Sequence, residues 1–322
     1  MTDLPGPTFP LKAPGTAVVH AGARQKPRIV SVPARCIEHT VELPGGADLF
    51  DALEKSLSEF AVAGIMAEFL SGEFRHIDYV HPAYGPDVEH PMSFTQAFAV
   101  DAPTRMRHAS ATIGWRDDSP FCHIHASWTE SDGTVKGGHL LPGTTVGPNG
   151  LTIRLFTLSD ARLISDVDPE TGFSAFAPHP VTPAHAAASA STEPDLVEAT
   201  RPADAVVSRV RPGEILDEAV LAVCRSAGFD SAEVVASLGS TTGAVFEDSS
   251  APWPAVEFTH LIGTVRRENV PGMTVPEART SAPRISLTGE VVDVAGEVRS
   301  GTLAEGANPV AVTFELFVRR TD

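Results

Sequence analysis

The chain has few cysteines. Cys36, Cys122 and Cys224 are the only three in 322 residues, too few and too far apart for a disulfide framework or a CxxC metal pair. Basic residues are also scarce: 24 Lys and Arg stand against 41 Asp and Glu, for a net charge of −17. A chain so acidic is repelled by phosphate backbones unless its basic residues are segregated on one face. The one basic-leaning stretch is the N-terminal arm, with Lys12, Arg24, Lys26, Arg28 and Arg35 against Asp3 and Glu38. It carries no arginine-rich minor-groove hook and no interleaved aromatics, so charge and motif together argue against DNA as a partner. No apolar run approaches the length of about 18 residues that spans a membrane. The first thirty residues are interrupted by Pro5, Pro7, Pro10 and Pro14 and have no apolar signal core. Reduced thiols and a cytoplasmic location are the expectation. Also missing are a phosphate-binding P-loop, a dinucleotide glycine fingerprint, a nucleophile elbow and a helical zinc-protease motif.

Proline and apolar residues, by contrast, are plentiful. Proline numbers 27, about 8% against a usual share of about 5%, and hydrophobic residues make up 42% at a mean hydropathy of +0.01. That is enough for substantial cores, and the length gives a prior of about two domains. Residues 1–38 read as a Pro-rich arm with one strand-like piece at Ile29–Val32. From Asp48, a capping residue, Leu49, Phe50, Leu53, Leu57 and Phe60 recur at helical spacing. Strand-like segments follow at Ile65–Leu70, Phe94–Val100, His108–Trp115, Phe121–Glu130, Thr134–Leu141 and Leu151–Leu158. Residues 159–204 read as a linker, with Ala186–Ser191 of low complexity. A second structured region runs over 205–319.

The two structured regions read as copies of one unit. Leu43-Pro44-Gly45 precedes the first helix, and Arg211-Pro212-Gly213 precedes a second with Leu216, Ala219, Val220 and Val223 on one face. Val135-Lys136-Gly137-Gly138-His139-Leu140 is echoed by Val298-Arg299-Ser300-Gly301-Thr302-Leu303.

The densest polar cluster is Cys122-His123-Ile124-His125-Ala126-Ser127. On a strand His123, His125 and Ser127 share one face, while Ile124, Ala126 and Trp128 take the core side. Ser131-Asp132-Gly133 suits a hairpin loop, and pairing Glu130 with Thr134 sets His139 opposite His125. Three imidazoles then meet on one face. Three neutral imidazoles with a position open to water form a catalytic-type zinc arrangement, and nickel, cobalt, copper or iron also suit it. The competing reading is three hydrogen-bonded structural histidines. In the second region the ligand positions fall on Arg284, Ser286 and Thr302, none of them a ligand. His108 and His260 occupy matching places and read as structural, and His76, His81 and His90 as exposed loop histidines. Glu73 and His108 are candidates for proton transfer, and Arg107 and Arg116 for holding a substrate carboxylate.

Through Leu43-Pro44-Gly45, His123-Ile124-His125-Ala126-Ser127, Asp132-Gly133 and Gly137-Gly138-His139-Leu140-Leu141-Pro142-Gly143, residues 39–158 resemble the plants-and-prokaryotes-conserved (PPC) domain. Residues 205–319 resemble a divergent copy without the histidine motif. The resemblance implies an α+β fold of two similar units, each with one main helix packed on a largely antiparallel sheet. It also implies assembly as a homo-oligomer, usually a trimer, and a metal at His123, His125 and His139. Prokaryotic members often carry a DNA-binding label. The expected function is a metal-dependent enzyme, of hydrolase or lyase/hydratase type, acting on a small polar metabolite with zinc as the metal. The alternatives are a DNA-associated regulatory protein and a non-catalytic module that binds metal or metabolite.

Overall fold

In the computed structural model the described residues are 6–101, 104–181, 202–267 and 283–321. Strand outweighs helix throughout, with twenty strands against two helices among those residues, so the α+β expectation shifts towards a mostly β chain.

The first sheet is built from β2 (Cys36–Leu43), β3 (Ile65–Val80), β6 (Phe98–Val100), β7 (Thr104–Arg116), β8 (Ser119–Thr129), β9 (Val135–Leu158), β10 (Ala161–Val167) and β11 (Ser174–Pro180). Antiparallel pairings β3–β7, β7–β8, β8–β9 and β9–β3 close a circuit, giving this half the character of a small barrel. Helix α1 (Leu49–Glu59) starts as expected: the Asp48 carboxylate accepts from the Asp51 amide at 3.0 Å. Its Leu49, Phe50, Leu53 and Leu57 are buried in one cluster with Ile65, Ile124, Trp128 and Ile153.

The second sheet holds β1 (Ile29–Ala34), β12 (Ala205–Val210), β13 (Ser231–Val234), β14 (Leu238–Thr241), β17 (Val256–Arg266), β18 (Arg284–Val292), β19 (Val298–Thr302) and β20 (Val310–Arg320). Helix α2 (Leu216–Ala227) buries Leu216, Ala219, Val220 and Val223 against it and ends at Gly228, whose φ of +70° is the left-handed cap that glycine adopts without a steric penalty. Two short pairs, β4 (Pro82–Tyr84) with β5 (Met92–Phe94) and β15 (Ala244–Val245) with β16 (Ser250–Ala251), complete the described strands. Pairing order is shared between the two large sheets. β2 pairs β9 as β12 pairs β20, and β3 bridges β9 and β7 as β13 and β14 bridge β20 and β17.

Three sequence expectations need correction. Residues 161–180, read as linker, form the hairpin β10–β11 with seven paired positions; residues 182–201, including Ala186–Ser191, lie outside the described residues. The arm is not merely extended, because β1 pairs antiparallel with β12 across six positions. Pro33 is tolerated there because β1 is the terminal strand of its sheet and an edge needs no amide on its open side. Further back in the arm, Trp253 Nε1 donates to the Thr16 carbonyl at 3.1 Å. Finally, the two segments expected at 134–141 and 151–158 are one strand of 24 residues. Pro142 and the glycines at 143, 147 and 150 read as breaks, but β9 stays paired to β3 through four register shifts that absorb the irregularity.

The halves pack through an apolar layer. Met66, Phe156, Leu158 and Phe176 from the first meet Val207, Leu238 and Phe317 from the second, and the Phe156 and Phe317 rings lie 5.2 Å apart. Against this layer the histidine face of β8 is turned towards the second half.

Candidate metal centre

Alternation along β8 is as the sequence implies: Ile124, Ala126 and Trp128 are fully buried in the first core, leaving His123 and His125 on the opposite face. The hairpin closes with Glu130 N donating to Thr134 O at 2.8 Å, and Gly133 takes a φ of +87°. That turn fixes the register at Thr129↔Val135 and therefore His125↔His139. Gly138 is small because β3 crosses it: a Cβ there would sit 2.3 Å from the Val80 carbonyl oxygen.

The three imidazoles converge. Their ring centres are 4.6, 4.8 and 5.4 Å apart, and one nitrogen from each lies within 4.8 Å of the others. His123 Nε2 and His125 Nε2 are 3.0 Å apart, close to the separation of about 3.4 Å between two nitrogens on one tetrahedral zinc. His123 Nδ1 donates to Glu315 Oε1 at 2.9 Å and His125 Nδ1 to the Phe258 carbonyl at 3.0 Å. A proton held at Nδ1 leaves Nε2 as the lone-pair atom, so both rings present acceptors to the same point. His139 Nδ1 is buried without a hydrogen-bond partner. Two inward lone pairs and an orphaned imidazole nitrogen are a donor set that fits a cation.

The local electrostatics differ between the rings. Burial, with the charges of His123, His125 and Arg116 adding to it, holds His139 well below the ordinary imidazole pKa, so it stays neutral. Burial opposes protonation of His125 too, but Glu257, whose Oε1 lies 3.4 Å from Nε2, together with the Phe258 carbonyl and Glu315, outweighs it and lifts the pKa. For Glu315, burial is outweighed by His123, Thr112 and His125, and the carboxylate is held below its usual range. A second oxygen on each of Glu257 and Glu315 is buried and unpaired.

Glu257, Phe258 and Glu315 come from β17 and β20 of the second half, and sequence reasoning missed them. The available signal was a single carboxylate inside an apolar strand, as in Val256-Glu257-Phe258 and Phe314-Glu315-Leu316. The sequence-based match between the halves also shifts. Thr302 pairs with Thr288, so Thr288 and Ser286, rather than Ser286 and Arg284, stand where His125 and His123 stand.

Beside the triad lies a cavity of about 380 Å³, in the range of small-molecule sites. Phe50, Phe94, Phe173, Phe176, Leu140 and Val312 give it an apolar wall, and Arg116 also lines it. Three other candidates lie away from that lining. Glu73 accepts from Asn149 N and Nδ2, both at 3.0 Å. Arg107 pairs with Glu290 at 3.1 Å. His108 stacks on His260 between the halves, with ring centres 4.3 Å apart. The exposed-loop reading fails for two histidines: His81 is buried and stacked on Phe98, and His76, within β3, bonds Asp78 and Asp101.

A histidine-triad pocket on a small β-barrel, walled by a second sheet, is the class that this geometry defines. The sequence model of the Plants and Prokaryotes Conserved (PCC) domain matches residues 32–157, and the chain carries a PCC domain there. Solved structures with some likeness include a metal-containing protein from Archaeoglobus fulgidus, at 22% identity and a TM-score of 0.39 over 46% of this chain and 97% of that one. Another is a PPC protein from Pyrococcus horikoshii, at 16% identity and TM-score 0.35, covering 45% and 94%. A third, from Ralstonia eutropha, is called a "putative DNA-binding protein" and stands at 21% identity and TM-score 0.33, covering 42% and 88%. No curated protein matches the chain.

Proposed function

We propose that this chain is a small-molecule-binding protein whose ligand pocket is organised by a divalent metal on His123, His125 and His139. The observation that carries the reading is the paired Nε2 atoms of His123 and His125 at 3.0 Å, both rings oriented from behind by acceptors of the second half. Zinc suits three neutral imidazoles, though nickel, cobalt, copper and iron accept the same donors. When bound, such an ion polarises a carbonyl oxygen or lowers the pKa of its water.

The chain's own residues have separate tasks. Glu315 fixes the His123 ring and supplies a compensating charge. Glu257 stands beside His125 with an unpaired oxygen, in position to take or return a proton on a ligand in the cavity. The apolar wall excludes water from the same space. A hydrolase or lyase/hydratase step on a ligand in the cavity would use these same groups.

Cobalt(II) titration tests it. The visible absorption of a nitrogen-ligated cobalt site should develop to one equivalent in the wild type and fail to develop in His125→Ala and His139→Ala. An unchanged spectrum in both variants would remove the ligand assignment. Screening the loaded protein against small carbonyl and amide compounds then separates turnover from binding alone.

A DNA-associated regulatory role is the second reading, favoured by the name of the Ralstonia eutropha structure and of one from Bacteroides thetaiotaomicron. The net charge of −17 opposes it. Duplex DNA at about 50 mM salt decides: a phosphate-contacting protein binds there and weakens steeply as salt rises.

A further inference from the structure

Arg116, the last residue of β7, lines the triad's cavity. Its guanidinium carbon lies 3.5 Å from the centre of the Phe121 ring, and Nη2 donates to Ser165 Oγ at 3.0 Å. Nε is buried without a partner. Among the described residues no carboxylate lies within ion-pair distance of it. Burial lowers its pKa, and the nearby charges of Asp117 and Asp166 offset this only in part. Arg107, the other arginine singled out from sequence, is already neutralised by Glu290.

A guanidinium with an unused buried donor, set over an aromatic ring at the edge of an apolar cavity, is arranged to receive an anion. We propose that Arg116 anchors the carboxylate of a small, largely apolar acid bound in this cavity. The proposal rests on the metal reading of the triad, because the acid's other end lies against His123, His125 and His139. Charge balance selects a monoanion. Without metal, the lining carries Arg116 against Glu257 and Glu315; a divalent ion leaves one net positive charge, which one carboxylate neutralises. The cavity wall of Phe, Leu and Val side chains selects an apolar body, such as an aromatic ring.

Phenylacetate and its uncharged isostere phenylacetamide are suitable probes, titrated calorimetrically into zinc-loaded wild type and Arg116→Gln, with zinc measured in every sample. The wild type should bind the acid at least ten-fold more tightly than the amide. Arg116→Gln should lose that preference, with the acid weakened at least ten-fold more than the amide, and should hold zinc at the wild-type level. Equal binding of acid and amide by the wild type, failure to bind either, or a retained preference in Arg116→Gln would each overturn the proposal. The first two readouts need no variant, so a poorly folding Arg116→Gln does not shield it. If the wild type holds no zinc, the metal reading itself fails on that measurement, whereas zinc-loaded protein that binds acid and amide equally overturns the Arg116 proposal alone.

Discussion

Replacing Glu315 by Gln removes one charge from behind His123 and leaves the shape of the side chain nearly unchanged. Glu315 is 3% exposed, and its Oε1 accepts from His123 Nδ1 at 2.9 Å. Gln can still accept that proton, but a neutral bond is roughly half as strong as a charge-assisted one. Outer partners of metal-bound histidines are worth about 10–100-fold in affinity, which is about 1.4–2.7 kcal/mol. Competition against a chromophoric chelator should therefore show zinc bound about 10–100-fold more weakly by Glu315→Gln. The stabilisation that zinc confers on thermal unfolding should shrink by the same free energy when both proteins are measured at one free zinc concentration. Glu290→Gln is the control. Glu290 is equally buried but accepts from Ser127 and Arg107 and does not line the cavity. Its loss should lower stability and leave zinc affinity within about two-fold. Wild-type zinc affinity in Glu315→Gln would refute the orienting role assigned to the second half. An equal loss in Glu290→Gln would mean that any buried acid matters, and would refute it as well.

Other outcomes can be checked by simpler means. Asp168 is buried between Arg209 at 2.7 Å and Arg211, and although burial raises its pKa, the two guanidiniums and the Glu170 amide hold it below the usual carboxylate range. Its stabilisation is complete above the unfolded value of about 3.9 and fades as pH falls through the lower folded value. Asp168→Asn should therefore cost about 3–5 kcal/mol in urea unfolding at pH 7 and progressively less below about pH 4; a gap that is constant with pH would contradict this. Gly138→Ala drives a Cβ against the Val80 carbonyl beside His139, and should cost about 1–3 kcal/mol and weaken zinc binding. Trp253→Phe removes the bond to the Thr16 carbonyl, so residues 6–20 should be cleaved faster by protease while the sheets stay resistant.

Legibility from sequence followed the range of the interaction. Helix α1 is encoded by a cap and a 3.6-residue period, both local, and its start at Asp48 was readable. The three-histidine face was readable for the same reason: alternation on β8 and a short turn at Gly133 suffice to bring His139 across from His125. What sequence could not supply lies far along the chain. Glu315 is 192 residues from His123, and no pattern near either residue announces the partner. The β10–β11 hairpin is the exception to range: its seven pairs are local, but Pro169, Pro178 and Pro180 lend the stretch a linker-like composition. The continuity of β9 was hidden because Pro142, Gly143, Gly147 and Gly150 bulge out of the strand, and only the pairing with β3 on either side of them keeps it one element.

The central claim is most directly tested by the metal content of protein purified without chelators, then stripped and titrated with zinc. The account predicts about one divalent ion per chain, lost in His125→Ala and His139→Ala and regained by the stripped wild type. A wild-type protein that carries no stoichiometric metal and takes up none on titration would contradict it.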